Sequence, residues 1–364
     1  MIARSHWLRW VSTAGAFVAG LAMASGCAAA AHQDLTSAPR SSAEAPVRPE
    51  DAIAPELRAG LATRTPAQLD GQWLEQNRRR RAQAMAALTA SIPEGVEVRS
   101  IPGPAGAPDV TVLILDPHPD RDDEPAFLFM HGGGFVGGSV AQTAPRLPGL
   151  ARACDCVVIS VGYRLAPETP FPGPMEDNFA ALSWLHQNAA ALGIDPDRIA
   201  VGGGSAGGGH AAQLAIAARD RGVPVRFQLL IYPMLDDRTG STRRVPGHIG
   251  HFGWNEASNR FGWSADLGRP AGSDDPPHGA VPARVEDLSG LPPAWIGVGS
   301  ADLFFAENLE YARRLGEAGA MVEVVVVPGA YHAFEGDSPD SRATIEFTNS
   351  WQNALRRALH PETP

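Results

Sequence analysis

The sequence predicts an α/β protein with a mostly parallel central sheet flanked by helices on both faces, and three observations carry that prediction. Short runs rich in Val, Ile, Leu and Ala recur between residues 126 and 327; they are short for helices and too uniformly apolar for strands with one wet face. The stretches between them have the length and spacing of crossover helices, the connection that parallel strands require. Two glycine-rich elements, His131-Gly132-Gly133-Gly134 and Gly203-Gly204-Ser205-Ala206-Gly207, each directly follow one of these runs. Glycine there suits a chain that leaves a strand through a sharp turn.

In chain order, the first segment is a targeting signal. Arg4 and Arg9 precede an apolar stretch from Val11 to Ala24, and this stretch is shorter than the roughly 20 residues a membrane-crossing helix needs. Ala24-Ser25-Gly26-Cys27 resembles a bacterial lipobox, with Ala24 where Leu is preferred. Residues 1–27 are therefore expected to be a signal peptide, with a lipid anchor on Cys27. Cleavage within 28–31 and soluble export is the alternative, followed by an uncleaved anchor. On the first two readings the protein is exported, to the periplasm, the membrane surface or the medium. Residues 28–64, rich in Ala, Pro, Ser and Arg without periodicity, are expected to be a disordered tether.

Residues 65–364 are expected to be the folded domain. A helix is predicted from 65 to about 90, with Pro66 suited to its first turn and Leu69, Trp73, Met85 and Leu88 among its apolar positions. The four arginines at 78–81 read as a solvated face, with a lipid-headgroup contact as the alternative. The β-branched runs 96–101 and 110–115, separated by Pro-Gly punctuation, predict a hairpin. Strands are then predicted at 126–130, 157–161, 199–202, 227–231, 294–298 and 322–327. Helices are predicted at about 142–153, 176–192, 206–221, 304–319 and 340–359. The segment 236–290 interrupts the alternation. Its Phe252, Trp254, Phe261 and Trp263 read as a cap over the site, or as pins holding an insertion to the core.

Composition excludes several classes of function. With 364 residues and 44% hydrophobic content, the chain can build one large core. A net charge of −10 argues against nucleic acid as a partner. The chain has no lysine, so neither a Schiff base nor a Walker-type phosphate site can form. Cys154 and Cys156 are too close for ordinary disulfide geometry and lack neighbouring ligands for zinc, so they read as buried thiols. No metal and no cofactor is expected. Oligomeric state is left open.

The chemistry starts at Ser205. It follows a predicted strand and precedes a predicted helix, which is the context of a nucleophile on a strained strand-to-helix turn, with the helix N-terminus favouring negative charge nearby. A serine hydroxyl needs a base to take its proton, and in this topology the base follows a late strand, in the chain order Ser, acid, His. His332 lies just past the strand at 322–327 and meets that requirement. His186 and His360 read as surface residues, and His131 as a structural part of its glycine motif. Asp302 follows the strand before His332 and is the expected acid, free also to cap the next helix. Glu307 lies too far into that helix, and Asp337 breaks the order. The backbone N–H groups of Gly133, Gly134 and Ala206 are the expected oxyanion donors, each contributing about 3–4 kcal/mol to the transition state. Trp73, Phe135, Trp254, Leu303, Phe304 and Phe334 are the candidate pocket-lining side chains.

Four segments then carry a resemblance: residues 131–135, Tyr163-Arg164-Leu165-Ala166-Pro167-Glu168 with Pro170-Phe171-Pro172, the serine turn, and Tyr331-His332-Ala333-Phe334. From about residue 65 to the C-terminus the chain resembles the bacterial hormone-sensitive-lipase family of α/β-hydrolases. The resemblance implies an α/β-hydrolase fold with a helical cap and a cofactor-independent serine carboxylesterase acting on small esters with short or medium acyl chains. It also implies the acid at Asp302. Two departures stand out: Gly204 where relatives usually carry Asp or Thr, and Leu303-Phe304-Phe305 where they often carry Asp-Pro. Arg164 and Glu168 are expected to pair and fix their loop. A lactone, acetylated-glycan or feruloyl-type ester on the same triad is the alternative substrate, with an amidase or an inactive ligand-binding scaffold behind it.

Overall fold

The computed structural model describes residues 47–64 and 68–361. The signal peptide with Cys27, most of the tether and Pro66 lie outside the described residues. Eight strands form one sheet in the order β1-β2-β4-β3-β5-β6-β7-β8. The hairpin β1 (Val96–Ile101) and β2 (Val110–Leu115) is antiparallel, and β2 pairs antiparallel with β4 (Val157–Gly162). From β4 onward the sheet is parallel, through β3 (Glu124–Met130), β5 (Ile194–Gly204), β6 (Phe227–Ile231), β7 (Ala294–Gly299) and β8 (Val322–Val327). Every predicted strand is present, within a few residues of its expected ends except at the start of β5.

The helices split the core between the two faces. On one, α4 (Gly173–Asn188), α5 (Ala206–Asp220) and α7 (Phe305–Glu317) bury Leu182, Leu214 and Tyr311 against Leu128, Val201 and Ile296. On the other, α3 (Leu147–Cys154) and α8 (Arg342–Leu359) bury Leu147 and Phe347 against Phe127 and Leu229. Cys154 and Cys156 are free, buried thiols. The helix expected at 142–153 is broken. A short α2 (Val140–Thr143) passes through a 3-10 turn at Ala144–Arg146 into α3, because Pro145 and Pro148 each lack the N–H that a continuous helix needs.

Two expectations about the N-terminal part change. The segment read as tether ends early: Pro49–Ala52 and Pro55–Thr63 are 3-10 turns, and Ile53 and Leu57 are buried. Ala54 N–H donates to Gly329 O, and Arg64 pairs with Asp337, so this segment packs on the loop that carries His332. Ile53 and Leu57, with Ala54 and Leu61 partly buried beside them, hold it without forming a helical or strand-like repeat. The first α-helix, α1, starts at Gly71 and ends at Ala90, with the Asp70 side chain capping the N–H of Trp73. Its arginines do not all face solvent. Arg78 donates to Val136 O, Ala166 O and the Glu168 carboxylate, and Arg81 reaches Tyr163 O.

The insertion at 236–290 contains α6 (Glu256–Leu267) and does both jobs offered for it. Trp263 is fully buried edge-on to Phe135, while the Trp254 ring lies tilted 6.5 Å from that of His332. Among the described residues, no helix is long and apolar enough to cross a membrane.

Candidate active site

β5 delivers Ser205 into a backbone conformation at φ 59°, ψ −125°, unusual for any residue with a side chain. α5 begins one residue later. The flanking glycines follow from crowding. A Cβ on Gly203 would lie 2.3 Å from Met130 O, and one on Gly207 would lie 2.1 Å from the same oxygen. Gly204 differs, since a Cβ there would meet only the Tyr232 ring, at 3.4 Å. Crowding therefore does not demand glycine at 204 as it does at 203 and 207.

Ser205 Oγ lies 2.9 Å from His332 Nε2, and His332 Nδ1 lies 2.8 Å from Asp302 Oδ2. Asp302 is fully buried, and its second oxygen accepts the N–H of Phe304 at 2.9 Å. It is the imidazole's partner and also closes the turn before α7, but it is not that helix's N-cap, a position taken by Phe304. Its loop is anchored by Ser300 N–H on Val327 O and Ala301 N–H on Ala330 O. Three aromatic rings surround the imidazole: Tyr232 at 4.8 Å, Phe304 at 5.1 Å and Trp254 at 6.5 Å between centroids. Glu307 turns away to accept the N–H groups of Leu235 and Asp236, and Asp337 accepts from Tyr331 Oη and Arg64. Neither His186 nor His360 is a freely exposed surface residue: both are half-buried, His186 bonding Pro224 O and His360 bonding Cys154 O and Asp155 O.

Opposite the triad, the loop after β3 turns through Gly133 at φ 137° and Gly134 at φ 60°. A Cβ on Gly134 would lie 2.2 Å from the Trp254 ring, and one on Gly133 would lie 2.2 Å from Gly137 O. Gly133 O takes the N–H groups of Val136 and Gly137, which fixes the turn. Among the described residues, no protein acceptor takes the N–H of Gly133 or Gly134. Ala206 opens α5, so its N–H is one of the orphan donors of a helix N-terminus. Beneath the loop, Tyr163 donates to His131 O and stacks on the His131 ring at 4.3 Å. Burial pushes His131 down to about 4 and His210 down to about 3, and raises the Tyr163 phenol. The side chains stacked beneath the loop are thus neutral.

The pairing expected between Arg164 and Glu168 does not form. Arg164 binds the buried carboxylate of Asp177 in α4, at 2.7 and 2.8 Å, and its N–H donates to Asp177 as well. Glu168 is held by Arg78 from α1. The closer acid in sequence was the wrong partner because α4 folds its first turn back over the loop.

A family model for the alpha/beta hydrolase fold matches residues 127–336. The carboxylesterase NlhH of Mycobacterium tuberculosis is 37% identical over 273 residues, covering 73% of this chain and 83% of its own. The esterase LipI of the same organism is 35% identical over 272 residues, covering 72% and 81%. The solved structure of a bacterial heroin esterase superposes with a TM-score of 0.72 at 36% identity, covering 85% of this chain and 98% of the other. This chain belongs to the hormone-sensitive-lipase family of α/β-hydrolases. It is a carboxylic ester hydrolase.

The esterase's cavity, about 790 Å³, holds Ser205, His332, Gly133 and Gly134. Of the six side chains expected to line it, only Trp254 does. Phe135, Leu303, Phe304 and Phe334 are buried in the core; neighbours of catalytic residues along the chain turn their side chains away from the site. Phe304 still contributes by packing on His332. Trp73 sits behind the oxyanion loop, 3.3 Å from where a Cβ on Gly137 would be. The lining comes instead from Phe129 on β3, Leu147 and Leu150 on α3, Ile231 and Tyr232 at the end of β6, and Trp351 on α8. Tyr232 was the findable one, since ligands of open α/β sheets gather at the carboxyl ends of strands.

Proposed function

We propose that this esterase is exported and hydrolyses short- to medium-chain carboxylic esters through an acyl-enzyme on Ser205. The observation that carries the reading is the continuous hydrogen-bonded path from Ser205 Oγ through His332 to Asp302, facing free glycine N–H groups across one cavity. His332 Nε2 takes the serine proton as Oγ attacks the ester carbonyl carbon. The oxyanion that forms is held by the N–H groups of Gly133, Gly134 and Ala206. On collapse the alkoxide leaves with the proton from His332, and water, activated by the same imidazole, releases the acid. The apolar walls at Phe129, Leu147 and Ile231 suit a short hydrocarbon chain. Export is supported by the signal-like residues 1–27.

Labelling with a fluorophosphonate, together with hydrolysis of p-nitrophenyl butyrate, tests this. Wild-type protein is expected to take one label and turn over the ester. Ser205→Ala should take none and lose about 10⁴-fold or more in kcat with an unchanged circular-dichroism spectrum. Retained turnover in Ser205→Ala overturns the mechanism. The same label, followed through fractionated cells, is expected in the membrane or periplasmic fraction; a cytosolic label overturns export.

A further inference from the structure

The cavity does not stop at the triad. From Ser205 it continues along the sheet face between α3 and α8, and its lining there turns polar at Gln142, Arg146, Thr348 and Gln352. Arg146, at the turn into α3, is the informative residue. Among the described residues its guanidinium makes no ion pair and no side-chain hydrogen bond, unlike Arg64 in the same cavity, which is neutralised by Asp337. Its positive charge nevertheless reaches the site. It acts to lower the pKa of the Tyr232 phenol, against the stronger opposing effect of burial. That phenol belongs to the ring packed edge-on to His332.

The carboxyl group in this cavity does not answer that charge. Glu335 accepts the Tyr232 hydroxyl, and burial works against its ionisation. His131, which also lines the wall, is held neutral by burial. The cavity of a protein with net charge −10 therefore presents one cation without an anion. Arg is well matched to carboxylate, which it can bind through two parallel N–H donors. Gln142, Thr348 and Gln352 add neutral polar groups to the same cavity.

We infer that Arg146 is a specificity residue for esters that carry a second, ionised carboxylate, such as half-esters of dicarboxylic acids. The inference rests on the esterase reading above: the ester carbonyl sits at Ser205 and the free carboxylate reaches Arg146 across the apolar stretch. A neutral chain fits the same walls but leaves the guanidinium without a partner.

The test compares kcat/KM, in the full chain, for monoethyl succinate, glutarate, adipate and suberate against ethyl butyrate, valerate, hexanoate and octanoate. A second arm places the carboxylate on the alcohol side, as in 3-butyryloxypropanoate against propyl butyrate. At least one charged ester is expected to exceed its neutral counterpart about tenfold or more, with the advantage shrinking as salt rises. Arg146→Leu should abolish that ratio, and Arg146→Glu should reverse it. Because the readout is a ratio within one protein, a general loss of activity does not imitate it. A ratio near one in both arms of the wild type, or a ratio that survives Arg146→Leu, overturns the inference. Failure of the esterase reading looks different, since the neutral esters would then not be hydrolysed at all.

Discussion

The two sides of the active site are built on different principles. On the acid side every polar atom that the reaction uses is matched: Ser205 to His332, His332 to Asp302, and the second Asp302 oxygen to Phe304 N–H. On the oxyanion side the donors are backbone N–H groups, and among the described residues no protein acceptor takes those of Gly133 and Gly134. The side chains behind them, His131 and His210, are kept neutral by burial. The difference follows the chemistry. Where a proton must move along a fixed path, loose valences would let the imidazole turn. Where negative charge must collect, permanent dipoles serve best, and a nearby titrating cation would change their effect with pH.

The acid side should break hardest. Asp302→Asn keeps the shape but presents an amide to His332 Nδ1 and favours the wrong tautomer, so kcat for a nitrophenyl ester should fall about 10⁴-fold, with the melting temperature reporting a retained fold. Damage to the oxyanion side should be smaller. Gly134→Ala puts a methyl group against Trp254 at a φ of 60°, displacing one N–H donor and costing roughly 10² to 10³ in kcat. Adding Trp254→Ala should recover part of that loss if the collision is the cause; no recovery would assign it to backbone strain.

The smallest effect concerns stability. Burial raises the Asp266 carboxyl to about 7. The folded state thus holds a proton that the unfolded chain gives up near pH 4. The stability attached to that proton is complete below about pH 4 and is lost as pH rises through 7. Asp266→Asn removes this dependence, so the melting temperature of the variant minus that of wild type should increase by about 5 °C between pH 5 and pH 8. The opposite drift, from His131 and His210 at acid pH, is common to both proteins and cancels in the difference. A flat difference would mean that Asp266 ionises as freely in the fold as outside it.

The sequence was most legible where a local constraint admits few residues. Ser205 at its strained turn, with glycines against Met130 O, could be placed from five letters, and the late strands β7 and β8 then ordered Asp302 and His332. The cavity was not legible in that way. Its walls come from the packing of α3 and α8 on the sheet, so Leu147 and Trp351 carry no mark in the sequence. Phe135 and Phe334, chosen because they adjoin functional residues, belong to the core. Arg164 shows the same limit at the scale of one ion pair: two acids were available, and only the fold decides between Glu168 and Asp177. Arg146, at the turn into α3, carries no mark in the sequence either.

The Arg78 side chain extends from α1 to the carbonyl of Val136, two residues past the oxyanion glycines, and to Ala166 and Glu168 beyond it. The cap helix and the oxyanion loop are therefore one mechanical part. A motion that lifts α1 off the body also unseats the donors that hold the tetrahedral intermediate. Through this one side chain the first helix bears directly on the segment that follows the oxyanion glycines, so the position of α1 and the aim of those donors are set together.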